Sequence, residues 1–291
     1  LSESARWVVK PKGIVKTGWP AVAATSRQLG ITFDPWQDGA GKLILAKRAD
    51  GLYAADTIVI SIPRQVGKTY LIGAIVFSLC IIFPGLTVIW TAHRFKTARD
   101  VFESLRGMAS REQMKPHVKV IYTGAGDEQI QFHNGSKILF GARERGFGRG
   151  IPAVSVLVFD EAQILTSNAI DDMIPTTNTV ENPLVFMIGT PPKPKDSSEV
   201  FTQLRREALS GESDDTLYIE FSANADADVD DKEAWAKANP SYPKRTSWRA
   251  ILRMRKHMTA DSVPREGLGI WDDDAQRGPF SAGCWKAGIA T

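Results

Sequence analysis

Two short segments carry side chains whose types and spacing suit chemistry on a phosphate chain. The first is Pro63-Arg64-Gln65-Val66-Gly67-Lys68-Thr69. A glycine lets the main chain approach an anion closely, a lysine supplies a point charge, and a threonine hydroxyl can ligate a divalent cation. The second is Asp160-Glu161-Ala162-Gln163, which follows a run of apolar residues. One carboxylate at the end of such a strand can hold Mg2+, while its neighbour orients or deprotonates an attacking water. On this reading Lys68 neutralises the β- and γ-phosphate oxygens, Thr69 and Asp160 bind Mg2+, and Glu161 acts on the water. Arg64, inside the loop, could reach a γ-phosphate in cis. The chemistry implied is hydrolysis of ATP.

Each segment is weaker alone than with the other. The full phosphate-loop pattern GxxxxGK[ST] calls for glycine where this chain has Ile62, so the pattern is not met. A strand ending in a single Asp is common. Two acids after so apolar a run, 92 positions beyond Lys68, are far more specific as a pair with the loop.

Such a site needs the loop and the acids at one edge of a sheet. Residues 57–62 form a β-branched run, and residues 68–83 are long enough for a helix, so the loop lies between strand and helix. Residues 87–91 read as a second strand and 95–108 as a basic amphipathic helix. Three short strands follow at 118–123, 130–133 and 137–141, with Asn134-Gly135 as a hairpin signal. In residues 154–159 five of six positions are apolar, which implies a strand buried on both faces. A strand at 184–189, a helix at 198–209 and a strand at 217–221 complete the series.

Alternation of this kind predicts an α/β fold with a mainly parallel sheet flanked by helices. Asp160 would then sit at the carboxyl edge, where open α/β sheets bind ligands. Residues 1–30 read as an irregular arm with a short helix near 21–29, and residues 35–48 as a helix leading into the core. Beyond about residue 224 the chain turns to an acidic linker, tryptophans and a basic helix. The expected division is an arm plus core at 1–223 and a small lid or linker subdomain at 224–291.

Composition narrows the alternatives. With 43% hydrophobic and 24% charged residues in 291, the chain has enough apolar content for a sizeable core. Cys80 and Cys284 are isolated, and the four histidines form no metal-binding spacing. The N-terminus lacks the layout of a secretion signal. Residues 71–83 are apolar, but a membrane-spanning helix needs about 20 such residues, so a buried helix is expected. Asp226, Asp228 and Asp230 imitate a calcium loop, yet Asp231 stands where that loop requires glycine. Asp272-Asp273-Asp274 reads as a solvated turn. Gly146 and Gly148 fail as a dinucleotide fingerprint because Ile151 holds the third glycine position.

Positive charge is concentrated in two stretches. Residues 94–149 hold eleven Lys and Arg against six acids, and residues 244–256 hold six and no acid. Arg94, Lys96 and Arg99, and the helical face of Arg249, Arg253 and Lys256, are candidates for nonspecific contact with DNA phosphates. The same face could pack on a neighbouring subunit or an acidic loop.

Taken together, the motifs resemble the large terminase subunit of tailed bacteriophages. Residues 63–69 resemble that family's divergent Walker A motif, in which Arg-Gln precedes Gly-Lys-Thr and the first glycine is often missing. Asp160-Glu161-Ala162-Gln163 resembles its Walker B motif with the catalytic glutamate. Gly189-Thr190-Pro191 resembles the coupling motif, and Pro35-Trp36-Gln37 the Q motif that reads adenine. Trp235-Ala236-Lys237-Ala238-Asn239-Pro240 and Leu268-Gly269-Ile270-Trp271 resemble the lid segment.

The resemblance implies an ASCE-type, RecA-like P-loop fold. It implies a nucleotide site built from Arg64, Gln65, Val66, Gly67, Lys68, Thr69 and Tyr70, with Trp36 and Gln37 at the base and Thr190 coupling hydrolysis to lid movement. Arg149, or Arg145 beside it, would reach the nucleotide of a neighbouring subunit; the alternatives are DNA phosphate contact or a loop cap. The family packages double-stranded DNA through a portal protein into a procapsid in the host cytoplasm. It works with a small terminase subunit as a homo-oligomeric ring, a pentamer by resemblance. A nuclease domain usually follows, and this chain is expected to hold the motor half alone, without nuclease activity. Two other readings stay open: a superfamily-2-like helicase or translocase, and a nucleotide-gated DNA-binding assembly protein without turnover.

Overall fold

The computed structural model describes residue 1 and residues 3–272. Asp273, Asp274 and Cys284 lie outside the described residues, as does the end of the expected lid. In chain order the strands are β1 (Trp7–Val9), β2 (Lys16–Thr17), β3 (Ala46–Lys47), β4 (Thr57–Ser61), β5 (Thr87–Ala92), β6 (Val118–Tyr122), β7 (Gln129–Phe132), β8 (Lys137–Ala142), β9 (Val156–Asp160), β10 (Leu184–Gly189) and β11 (Thr216–Glu220). The helices are α1 (Trp19–Gln28), α2 (Pro35–Ile44), α3 (Lys68–Ile82), α4 (Phe95–Ala109), α5 (Ser167–Met173), α6 (Glu199–Ser210), α7 (Lys232–Ala238) and α8 (Trp248–His257).

Nine strands make one sheet in the order β1-β11-β4-β10-β9-β5-β8-β7-β6. Its six middle strands, from β11 to β8, are parallel, and antiparallel strands close both edges. Strands β2 and β3 pair separately. The middle strands are buried on both faces because successive side chains point to opposite sides. Ile58, Ile60, Val156, Val158, Phe186 and Ile188 join the core under α1, α2, α3 and α4. Val59, Leu157, Phe159, Val185 and Met187 enter the opposite core, which takes Phe201 and Ala208 from α6 and Met173 from α5. A third, smaller cluster gathers Ala223, Ala234, Trp235, Ala238, Ile251, Val263 and Leu268 into a helical lobe.

Two expectations are corrected at the ends of the sheet. Residues 1–30 are more than an irregular arm, because Trp7–Val9 pairs antiparallel with β11 and covers that edge. Three residues are too few to show a period, and Trp7 is 45% exposed, so no burial pattern announces the strand. The helix expected over 35–48 ends at Ile44, since Ala46 and Lys47 turn into the pairing of β3 with β2. The apolar run at 71–83 belongs to α3, which is buried within the core, and no helix among the described residues is long and apolar enough to cross a membrane. The calcium-loop imitation resolves into local pairing: Asp230 pairs with Arg255, and Asp231 caps α7.

Candidate functional site

The site is built on three adjacent strands. β10 lies between β4 and β9, with Gly189 opposite Ser61 and Ile188 opposite Asp160. The ends of the three strands therefore present residues 62–69, Asp160-Glu161 and Thr190 at one edge.

The loop explains its missing glycine. Ile62 is fully buried and its amide still donates to the Gly189 carbonyl at 3.0 Å, so position 62 continues the sheet and needs no glycine. The turn comes later, where Gln65 and Gly67 take left-handed backbones at φ 59° and 94°. A Cβ at Gly67 would also stand 3.2 Å from Gln37 Nε2, so a side chain there is both strained and crowded. Gly67 leads directly into α3, whose first residues are Lys68 and Thr69.

These groups converge on a cleft of about 330 Å³ lined by Arg64, Gln65, Lys68, Thr69, Asp160, Glu161, Gln163 and Thr190, with α4 supplying the facing wall. Lys68 Nζ lies 3.6 Å from Asp160 Oδ1. The Glu161 amide donates to the same oxygen at 2.9 Å, and Glu161 Oε2 accepts from the His93 amide at 3.2 Å. Glu161 itself sits in the left-handed region at φ 55°. Gly189 is required here, because a Cβ on it would come within 2.5 Å of Gln163 Oε1 and 3.0 Å of the Gln163 amide. Among the described residues no group of three or more His, Cys, Asp or Glu could hold a metal. A hydroxyl and one carboxylate, Thr69 and Asp160, are a donor set that suits Mg2+, which keeps its waters and takes further oxygens from phosphates.

The loop is also gripped from the helical lobe. Ser241 Oγ donates to the Val66 carbonyl at 2.7 Å, and the Arg64 amide donates to the Glu266 carbonyl at 3.0 Å. The Glu266 carboxylate pairs with Arg64 at 2.8 Å and with Lys193, just past Thr190, at 3.3 Å. Asp34 takes Lys244 at 2.9 Å and Arg245 at 2.6 Å. Burial pushes the Asp34 carboxyl up, but hydrogen bonds and charge from Arg245 and Lys244 outweigh it and hold the group below 3.8. A second cavity of about 480 Å³, between the loop and α8, shares Arg64 and Gln65 with the cleft.

Other expected residues lie elsewhere. Gln37 is buried beneath the loop, where Oε1 accepts from the Asp34 amide at 2.9 Å and Nε2 donates to the Gly67 carbonyl at 3.2 Å. Trp36 is in the core, its ring edge-on to Phe221 at 5.3 Å. Neither lines the cleft that holds Lys68 and Asp160, and the capping box of α2 engages the glutamine amide with backbone. Tyr70 packs against the core one position beyond Thr69. Arg149 is 75% exposed with Asp172 at 3.5 Å, and the Arg145 guanidinium stacks on Phe95 at 4.5 Å. Arg94, Lys96 and Arg99 are exposed at the start of α4, and Arg249, Arg253 and Lys256 on α8.

Sequence reading passed over Arg143. Its guanidinium donates to the Asp160 carbonyl at 2.8 Å and to the Glu161 carbonyl at 3.3 Å. In sequence it was one arginine of a basic segment, and nothing local set it apart from Arg145 and Arg149.

The sequence profile of the family described as terminase large subunit, T4likevirus-type, N-terminal, matches residues 59–240. The fold is similar to the crystal structure of the HK97 bacteriophage large terminase, with a TM-score of 0.75 and 19% identity over 88% of this chain and 55% of that one. It is similar to the ATPase domain of the Thermus phage P74-26 large terminase, with a TM-score of 0.57 and 15% identity over 84% and 96%. It is also similar to the large terminase of a thermophilic bacteriophage in complex with ATP-gamma-S, with a TM-score of 0.53 and 16% identity over 88% and 53%. The chain thus spans little more than half of the HK97 protein and of that thermophilic-phage protein. No curated protein matches its sequence.

Proposed function

The chain belongs to the terminase large-subunit family, and from that premise we propose that it is the ATP-hydrolysing motor part of a machine that drives double-stranded DNA into a procapsid. The observation that carries this reading is the convergence of Lys68, Thr69, Asp160, Glu161 and Thr190 on one cleft. The triphosphate would lie against Lys68 and the amides at the start of α3, where the helix end favours an anion. Thr69 and Asp160 would hold Mg2+, which when bound neutralises charge on the β- and γ-oxygens. Glu161 would orient the attacking water and take its proton. The adjoining cavity under α8 has room for the nucleoside half.

Coupling would run along contacts already in place. Thr190 faces the cleft, and Lys193 three residues on pairs with Glu266 of the helical lobe, so a shift at β10 reaches the lobe through that carboxylate. The lobe, from about residue 224, would serve as the lid. Arg64 would turn from Glu266 to the γ-phosphate in cis. Arg149, exposed and loosely held, would act on the nucleotide of the next subunit in a homo-oligomeric ring, with Arg145 as the alternative. Arg94, Lys96, Arg99, Arg249, Arg253 and Lys256 would contact DNA phosphates. A pentameric ring, a portal protein and a small terminase subunit are the partners implied by the family resemblance, and no nuclease activity is proposed for this stretch.

The test is phosphate release by the purified chain with and without double-stranded DNA. Release should depend on Mg2+ and rise with DNA, and Glu161→Gln should lower it by about 10²–10⁴-fold while ATP affinity stays within about threefold. ATP binding with no release in the unaltered protein would favour the nucleotide-gated binding protein instead.

A further inference from the structure

Arg143 directly follows β8 and starts a short 3₁₀ turn, Arg143–Arg145. It is not among the residues that line the cleft, yet it touches the backbone of both acids. Nη1 donates to the carbonyl and hydroxyl of Thr91, both at 3.2 Å, and to the Asp160 carbonyl at 2.8 Å; Nη2 reaches the Glu161 carbonyl at 3.3 Å. One guanidinium therefore ties the carboxyl ends of β5 and β9, which are neighbours in the sheet.

Both ends matter to the same carboxylate. Two residues past Thr91, the His93 amide donates to Glu161 Oε2. Two residues past Phe159, Glu161 adopts its left-handed backbone, a conformation that costs a non-glycine residue on the order of 1 kcal/mol and persists where surrounding contacts over-determine it. The Arg143 bonds to the Asp160 and Glu161 carbonyls are contacts of that kind. All four acceptors are uncharged oxygens, so the guanidinium is not there to neutralise a bonded acid. Burial pulls it down from 12.5 to about 10, against the charges of Glu161 and Asp160, which raise it. A side chain serving only to fill space would not need a desolvated charge at that point.

We infer that Arg143 is the positioning residue of the hydrolytic site: it sets the turn that aims Glu161 by holding the Asp160 and Glu161 carbonyls against the end of β5, without touching the nucleotide. The inference rests on the proposed ATPase reading. Lysine replaces it only in part, because a single ammonium does not span acceptors on two strands as a planar fork does.

The experiment compares Arg143→Met and Arg143→Lys with the unaltered chain in the presence of double-stranded DNA. It measures kcat, the affinity for ATP-gamma-S with Mg2+, and Tm. A misaimed Glu161 should lower kcat on the order of 100-fold in Arg143→Met and on the order of 10-fold in Arg143→Lys, with affinity within about threefold. Millimolar guanidinium ion should return part of the lost kcat to Arg143→Ala and none to Glu161→Gln, a rescue that a loss of packing would not show. An unchanged kcat in Arg143→Met overturns the inference. So does a joint fall of kcat and affinity that tracks Tm. Should Arg143→Met fail to fold, the split between kcat and affinity in Arg143→Lys decides. If the unaltered chain releases no phosphate, the ATPase reading itself falls; if it does and Arg143→Met matches it, the inference alone falls.

Discussion

The carboxyl edge of the sheet and the C-terminal helical lobe border the same loop but are held by different forces. Asp160 and Gly189 are placed by unbroken parallel pairing of β9, β10 and β4, and the side chains below them are fully buried. Ser241, Glu266, Lys244 and Arg245 meet the core through individual polar contacts, and most of the lobe's apolar side chains form their own cluster. Trp271, packed on Phe201 and donating to Ser61 Oγ at 2.9 Å, is its apolar anchor to the core. A ladder of hydrogen bonds and close packing cannot yield by small steps, whereas ion pairs can exchange partners at little cost. The difference suits a machine in which chemistry needs a stiff edge and output needs a part that moves.

The comparison can be broken at the edge first. Lys68→Ala removes the only lysine of the loop and should weaken ATP binding by about 10–100-fold, the loss expected for a charged hydrogen bond to phosphate. Unchanged affinity in a calorimetric titration would take Lys68 out of the site. Gly189→Ala comes next in size. Its Cβ would meet Gln163 at 2.5 Å and 3.0 Å, and both the sheet and the turn resist movement. Chemical unfolding should show a loss of about 1–3 kcal/mol, together with a lower kcat. A neutral result would mean that the edge is less stiff than its pairing implies.

The lobe should give the smallest response. Asp34→Asn keeps the shape of the residue and removes the charge that Lys244 and Arg245 share, both of them largely exposed. The cost at pH 7 should be about 1 kcal/mol or less. Because the Asp34 carboxyl is held below 3.8 in the folded protein, its ionic contribution is fully present above 3.8 and is lost as pH falls through the folded value. The stability gap between the two proteins should therefore stay level from pH 7 to about pH 5 and close in more acid solution. A gap that widened on acidification would show that the pairing at Asp34 does not hold the lobe.

Much of this frame was legible before any coordinates. The strands at 57–61, 87–92 and 184–189 and helices α3 and α4 follow from β-branched runs, apolar length and amphipathic spacing, which local residues encode. The loop and the two acids stood out because phosphate chemistry demands particular residue types in a particular order. Strand β1 did not, being short, at an edge and half in water. Gln37 stood in a motif that resembles one reading adenine, and only the fold shows its amide also bonded to the Asp34 and Gly67 backbones. Arg143 was one of three arginines in a glycine-rich segment, and its neighbours in space, Thr91 and Asp160, are 52 and 17 positions away.

What the chain determined by itself is which groups are present and which local elements carry them, since propensity, periodicity and motif order act over a few residues. Tertiary structure decided which of them meet. Strand β10 enters between β4 and β9 and sets the spacing of Lys68 and Asp160, and Arg143, in place of its more exposed neighbours, becomes the clamp beneath Glu161. Those outcomes depend on strand order and on burial from both faces of the sheet, and neither is written in any one stretch of residues.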